Sequence, residues 1–179
     1  MPHLIVIYGP PFAGKSTLAR GLAQSLPEKT AIVSADYLAL EAIAVHDGAA
    51  FDEMEMVTTQ VRLLVANYLK NGYNVVLEGA FSQVLDGELQ HREQEMDQIA
   101  ALMRNLAPSP LLVRLVADEG VLEERARGAG RENEIEAAVR INSAYKPRYG
   151  RWLQIDTGIA TVDESIETLR ERLKTADFR

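Results

Sequence analysis

Gly9-Pro10-Pro11-Phe12-Ala13-Gly14-Lys15-Ser16-Thr17 decides the fold. The stretch satisfies the phosphate-binding pattern G-x-x-x-x-G-K-[ST] at every defined position, and its flanks are those the pattern requires. Leu4-Ile5-Val6-Ile7-Tyr8 ahead of it reads as a buried strand. Behind it, Leu18, Leu22 and Leu26 recur at helical spacing, so 16–26 reads as a helix. A strand, a tight loop and a helix N-terminus gather several backbone N–H groups and a helix dipole around one anion, and a nucleotide polyphosphate is the natural occupant. Gly9 and Gly14 permit backbone conformations that a side chain obstructs. Ala13, Gly14, Lys15 and Ser16 supply N–H donors for a β-phosphate, whereas Pro10 and Pro11 have none and stiffen the outer half of the loop. The Lys15 ammonium is expected to reach the β- and γ-phosphates, and the Ser16 hydroxyl to coordinate Mg²⁺.

Composition narrows the classes. At 179 residues the chain is expected to be one domain over 1–179. Its 47% hydrophobic and 25% charged content suits a globular protein with a sizeable core. The net charge of −7 argues against non-specific binding to long nucleic acid. With no Cys, disulfides, thiolate catalysis and Cys-ligated zinc are excluded. His3, His46 and His91 have no metal-ligand spacing. No apolar stretch approaches a membrane span, and the early first strand leaves no room for a signal peptide, so a cytoplasmic location is expected.

Strand and helix signals alternate along the chain. Strands are expected at 30–34, 74–77, 111–117 and 152–156, and helices at 36–45, 52–71, 88–106, 118–127 and 132–145. Thr161 and Glu164 form a capping box that opens the last helix. Such alternation implies an α/β fold with a mainly parallel sheet covered on both faces, and ligands gather at the carboxyl ends of its strands. At those ends stand Gly9–Ser16, Asp36, Glu78, the Asp118 region and Asp156 to Gly158.

The loop, Asp36, Glu78 and the cluster Arg125, Arg127 and Arg131 resemble the P-loop kinase superfamily. The nearest branch is that of small metabolite kinases, chloramphenicol-phosphotransferase-like or polynucleotide-kinase-like, with an AAA-type ATP-binding domain. The resemblance implies a three-layer α/β/α P-loop NTPase fold with a five-stranded parallel sheet in order 2-3-1-4-5. It also implies ATP and Mg²⁺ as cofactors, an acceptor-binding helical region at about 37–71 and an arginine-bearing lid at about 125–135. By the same resemblance, Arg127 packs on the adenine, Arg131 points at the phosphates, and the turn at Asp156 to Gly158 frames the base. The loop departs from the pattern at Phe12, where related nucleotide kinases often carry Gly. That departure weakens an assignment to adenylate kinase and suggests an apolar wall toward the nucleotide or acceptor.

The residue types fit phosphoryl transfer. A hydroxyl acceptor loses a proton as it takes the phosphoryl group, and the Asp36 carboxylate at the end of the second strand suits that task, although it also suits a helix cap. Glu78, ending an apolar strand, suits a Mg²⁺ contact, direct or through water, or an acceptor contact. Arg125, Arg127 and Arg131 around Gly128-Ala129-Gly130 suit a mobile lid that delivers bidentate donors, or else an ordinary helix end with a Glu123–Arg127 pair. Arg140, Lys146, Arg148 and Arg151, interleaved with Tyr145, Tyr149 and Trp152, read either as a ledge for a phosphorylated or nucleic-acid acceptor or as a solvated helix with core aromatics. Glu41, Asp47, Asp52, Glu53 and Glu55 make the acceptor side acidic, which suits an amine-bearing acceptor or is simply a solvated face. The sequence therefore points to an ATP-dependent kinase acting on a small-molecule hydroxyl, with Lys15, Asp36 and Arg131 in catalysis. A nucleotide or polynucleotide 5′-hydroxyl kinase is the alternative acceptor reading, and a nucleotide-binding switch without acceptor the alternative class. No N-K-x-D base-reading motif of the GTPase kind is present.

Overall fold

The computed structural model describes residues 1–42, 51–85, 88–91, 93–144 and 152–176. Its chain runs β1 (Leu4–Tyr8), α1 (Lys15–Ser25), β2 (Thr30–Ser34), a helical turn α2 (Ala35–Tyr37) that continues into a π-helical turn (Leu38–Ala42), and α3 (Phe51–Lys70). It continues through β3 (Asn74–Gly79), β4 (Ser82–Leu85), β5 (Glu88–His91), α4 (Glu93–Leu102), β6 (Leu111–Val116) and α5 (Glu119–Gly128). A 3₁₀ turn (Glu132–Glu134), α6 (Ile135–Ala144), β7 (Leu153–Asp156) and α7 (Val162–Ala176) complete it.

β1, β2, β3, β6 and β7 form one five-stranded sheet in the order β2-β3-β1-β6-β7, with every pairing parallel. Counted without the β4–β5 hairpin, this is the expected order 2-3-1-4-5. β1 is central and wholly buried, which its unbroken apolar run requires. Its side chains alternate between two cores. Leu4, Val6 and Tyr8 join Val57, Val61, Val65 and Leu69 of α3. Ile5 and Ile7 join Leu18, Ala19 and Leu22 of α1 with Leu169 and Leu173 of α7. Each such aliphatic side chain contributes roughly 1.5–3 kcal/mol when fully buried, so this strand anchors both helical layers. α1 and α7 approach so closely that a Cβ at Gly21 would lie 2.7 Å from Ile166 Cδ1.

Three expected helices differ. The helix expected at 36–45 is one α-turn followed by a π-helical turn, and residues from 43 on lie outside those described. The helix expected at 88–106 begins at Glu93, because Glu88–His91 pairs antiparallel with Ser82–Leu85. The physical reason is in the sequence: short strand-like runs flank Asp86-Gly87, a dipeptide that favours two-residue hairpin turns. The helix expected at 132–145 opens with the 3₁₀ turn, and Tyr145 lies outside the described residues. The capping box is present, with Thr161 N–H donating to Glu164 Oε2 at 2.8 Å and Glu164 N–H donating to Thr161 Oγ1 at 3.3 Å.

Gly9 sits where the loop leaves β1, beside β6. A Cβ there would lie 2.8 Å from the Leu115 carbonyl oxygen and 3.1 Å from Leu115 Cβ. Since backbone cannot yield as a side chain can, Gly9→Ala is expected to cost about 1–3 kcal/mol. The urea unfolding midpoint measures this, and an unchanged midpoint would show that the loop can lift off β6.

Candidate active site

The carboxyl edge of the sheet opens into a cleft of about 470 Å³, lined by Ser16, Arg20, Ile32, Ser34, Asp36, Tyr37, Leu40, Glu41 and Glu78. The phosphate loop forms one side. Gly14 is left-handed (φ 84°) and serves as the N-cap of α1 with no side-chain cap, which leaves the N–H groups of the first turn to an anion. Ala13 N–H instead closes a turn onto the Pro10 carbonyl at 3.3 Å. Lys15 is buried, and its Nζ donates to that same carbonyl at 3.1 Å. Phe12 also adopts a left-handed conformation (φ 65°). That geometry suits the glycine common there and costs an L-residue roughly 1–2 kcal/mol.

Asp36 faces Lys15. Its Oδ2 lies 3.4 Å from Lys15 Nζ, and its Oδ1 accepts from Ala80 N–H at 2.9 Å. Both carboxylate oxygens therefore have a fixed direction. The helix-capping role belongs to Ser34, whose Oγ accepts from Tyr37 N–H at 3.1 Å. Asp36 is thereby free for chemistry.

Glu78 is only 2% exposed, at the end of β3. Ser16 Oγ donates to its Oε2 at 3.3 Å. Burial pushes the Glu78 carboxyl above its ordinary value of 4.5; Asp36 adds to the rise, while Ser34, Lys15 and Ser16 oppose it. A buried carboxylate beside a hydroxyl is a set of hard oxygen donors, and a divalent cation there would supply the missing positive charge. Ser16 and Glu78 thus fit Mg²⁺. Among the described residues there is no cluster of three or more His, Cys, Asp or Glu side chains placed to hold a metal by themselves.

The arginines in the last turn of α5 and just after it divide into distinct roles. Arg125 is the most connected: Nη1 donates to the Phe12 carbonyl at 3.1 Å and to Thr157 Oγ1 at 3.0 Å, and Nη2 donates to the Thr157 carbonyl at 2.6 Å. Arg127 is 60% exposed and pairs with Glu123 at 2.7 Å, the i,i+4 pair that its spacing allows. Arg131 forms a two-pronged bond to Glu134, Nε to Oε1 at 2.5 Å and Nη2 to Oε2 at 2.6 Å, and its guanidinium lies 5.4 Å from the Phe12 ring centre. Thr157, expected near the base, ties its turn to the phosphate loop: its hydroxyl lies 3.1 Å from the Ala13 carbonyl.

A family described as AAA domain matches residues 4–145. The chain belongs to this family. None of the curated proteins matches the sequence. Solved structures similar to this member of the family include a kinase candidate from Chloroflexus aurantiacus J-10-fl (23% identity, 98% of this chain and 97% of that one, TM-score 0.65). Shikimate kinase from Acinetobacter baumannii is similar over 100% and 96% of the two chains (17% identity, TM-score 0.61). A gluconokinase from Sinorhizobium meliloti 1021 is similar over 97% of each (17% identity, TM-score 0.57). At these identities the likeness is one of fold, and it is the fold of nucleotide-binding P-loop kinases.

Within that fold, the sequence-predicted Lys15, Asp36, Ser16 and Glu78 converge on one cleft edge. Phe12 and Arg131 meet each other rather than the cleft. Arg127 turns to Glu123. Arg125 and Thr157 carry most of the loop's support and had no sequence signal beyond their neighbourhood. Of the basic ledge, Lys146, Arg148 and Arg151 lie outside the described residues, whereas Arg140 lies 3.8 Å from Glu136. Trp152 packs edge-on to Tyr8 at 6.3 Å, a core role. On the acidic side Asp47 also lies outside the described residues, and Glu41 lines the cleft. No described helix is long and apolar enough to cross a membrane.

The raised Glu78 pKa has a definite consequence. Between 4.5 and the higher folded value the native protein holds the proton more tightly than the unfolded chain, so stability falls as pH rises through that window. Above it, Glu78→Gln is expected to be more stable than the wild type without nucleotide, and the difference should vanish below the window. Thermal melts across pH measure it, and a pH-independent difference would contradict the assignment.

Proposed function

We propose that this protein is an ATP- and Mg²⁺-dependent kinase that phosphorylates a hydroxyl of a small molecule. The observation that carries the reading is the Asp36 carboxylate, held by Ala80 N–H and 3.4 Å from the phosphate-loop lysine, at the rim of a cleft large enough for an acceptor. A switch that only hydrolyses nucleotide has no need of a directed carboxylate there. The similarity to shikimate kinase and a gluconokinase supports a small hydroxylated acceptor. Among the described residues that line the cleft, Asp36, Glu41 and Glu78 are carboxylates and Arg20 is the cation, which disfavours a polyanionic oligonucleotide end.

In this reading the uncapped first turn of α1 seats the β-phosphate, and Lys15 leaves the Pro10 carbonyl to bridge the β- and γ-phosphates. Asp36 orients the acceptor hydroxyl and takes its proton as the hydroxyl oxygen bonds to the γ-phosphorus and the bond from that phosphorus to the β,γ-bridging oxygen breaks, releasing ADP. Ser16 and Glu78 would hold Mg²⁺, which when bound supplies charge neutralisation at the phosphates. Arg131 completes the positive surround when the lid closes. The cytoplasm, where ATP is abundant, is the matching location.

An ATP-consumption screen against pooled hydroxylated metabolites, antibiotics, nucleotides and 5′-hydroxyl oligonucleotides, blanked with Lys15→Met, tests the proposal. Turnover should appear in a small-molecule pool and vanish in Lys15→Met; full activity in that variant would sink it. With an acceptor in hand, Asp36→Asn should bind ATP normally but lose roughly 10²–10⁴-fold in kcat. Unchanged kcat would leave Asp36 a purely structural residue.

A further inference from the structure

Phe12 combines three features that no single structural need explains. Its backbone is left-handed although it is not glycine. Its carbonyl accepts from Arg125, and its ring carries the Arg131 guanidinium. Backbone strain of this kind persists where surrounding contacts over-determine it, and such places cluster at functional sites. Arg131 in turn is fixed in two directions: its edge is gripped by Glu134 and its face is turned to the Phe12 ring. It follows Gly130, itself left-handed (φ 67°), and a Cβ at Gly128 would meet nothing within 4 Å. An arginine on such an exposed, glycine-flanked turn would otherwise sample many rotamers.

We infer that Phe12 is the positioning residue for Arg131, an aromatic seat on the phosphate loop that holds the lid arginine beside the loop before nucleotide arrives. The seat lowers the ordering needed when the lid engages phosphate, because the guanidinium is already oriented and confined. It also accounts for the departure from glycine at this position: glycine would relieve the backbone but offer no ring. The cation–π contact is weak enough to release, since at an exposed site it stabilises by only a few RT at most.

The role of Arg131 in turnover rests on the kinase reading, but the seat does not, and two measurements separate them. In the nucleotide-free protein, amide hydrogen exchange at Gly130 and Arg131, whose N–H groups bond to Arg127 and Ala126 carbonyls, reads the seat directly. Phe12→Leu should speed it by about threefold, the worth of an exposed cation–π contact, while Phe12→Tyr leaves it as in the wild type. Phe12→Gly, which removes the strain together with the ring's packing against the core of α1 and α7, should give the same faster exchange, and it decides the matter if the leucine variant folds poorly. Equal exchange in the wild type and the folded variant overturns the inference whether or not ATP is consumed. With an acceptor identified, Phe12→Leu should lower kcat with the KM for ATP within about twofold, since a positioning loss acts on the transition state. Its effect should disappear in an Arg131→Gln background, which removes the cation, and losses that multiply would show that Phe12 acts independently of Arg131.

Discussion

The parallel register of β2, β3 and β1 is the constraint on which the site depends. It sets Ser34 beside Glu78 and Ile7 beside Glu78, and it ends β1 and β3 together at Tyr8 and Gly79. Alternation then does the rest. Val76 faces the α1 core and Leu77 faces the α3 core, so Glu78 points toward α1, where Ser16 opens the helix. A slip of one residue in β3 would bring Leu77 or Gly79 to that place and send the carboxylate into the opposite layer. The apolar run of β1 and Val75, Val76 and Leu77 of β3 hold the register, because both layers of core are built from their side chains.

The charges at this edge are balanced for a ligand rather than for the protein alone. Glu78 is desolvated, Asp36 stands near it, and Lys15 is the buried cation between the loop and Asp36. The hydroxyls of Ser16 and Ser34 soften the carboxylate burial but carry no charge. A site of this kind lowers the stability of the empty protein and gains from an incoming cation and polyphosphate together. Lys15 itself is shared between the neutral Pro10 carbonyl at 3.1 Å and the Asp36 carboxylate at 3.4 Å.

Much of this was legible in the sequence because it depends on local pattern. The loop motif, the apolar strands and the helical spacing of α3 and α7 lie in contiguous residues, and the parallel sheet follows from their alternation. Asp36 and Glu78 were legible because strands of known length place their last residues at one edge. The β4–β5 hairpin was not legible: Glu88–His91 falls inside the helix expected at 88–106 and Ser82–Leu85 carried no expected element, because runs this short do not let periodicity separate strand from helix. The roles of Arg125 and Thr157 were not legible, since their partners lie more than 100 residues away for Phe12 and Ala13. Spacing offered the Glu123–Arg127 pair as one of two readings, but it carried no sign that Arg131 would reach across to Phe12.

The ties made by Arg125 and Thr157 bear on the order in which the protein acquires its shape. The loop at residues 9–17 leaves the ribosome before α5 and β7, yet its carbonyls at Phe12 and Ala13 are held by side chains from α5 and from the turn after β7. β1 likewise needs β6 on one side, and β6 needs β7. During synthesis the motif therefore exists as sequence long before it exists as a cradle. Nucleotide gains its seat only when Thr157 has emerged and docked, so the nascent N-terminal half has no finished phosphate site with which to sequester ATP.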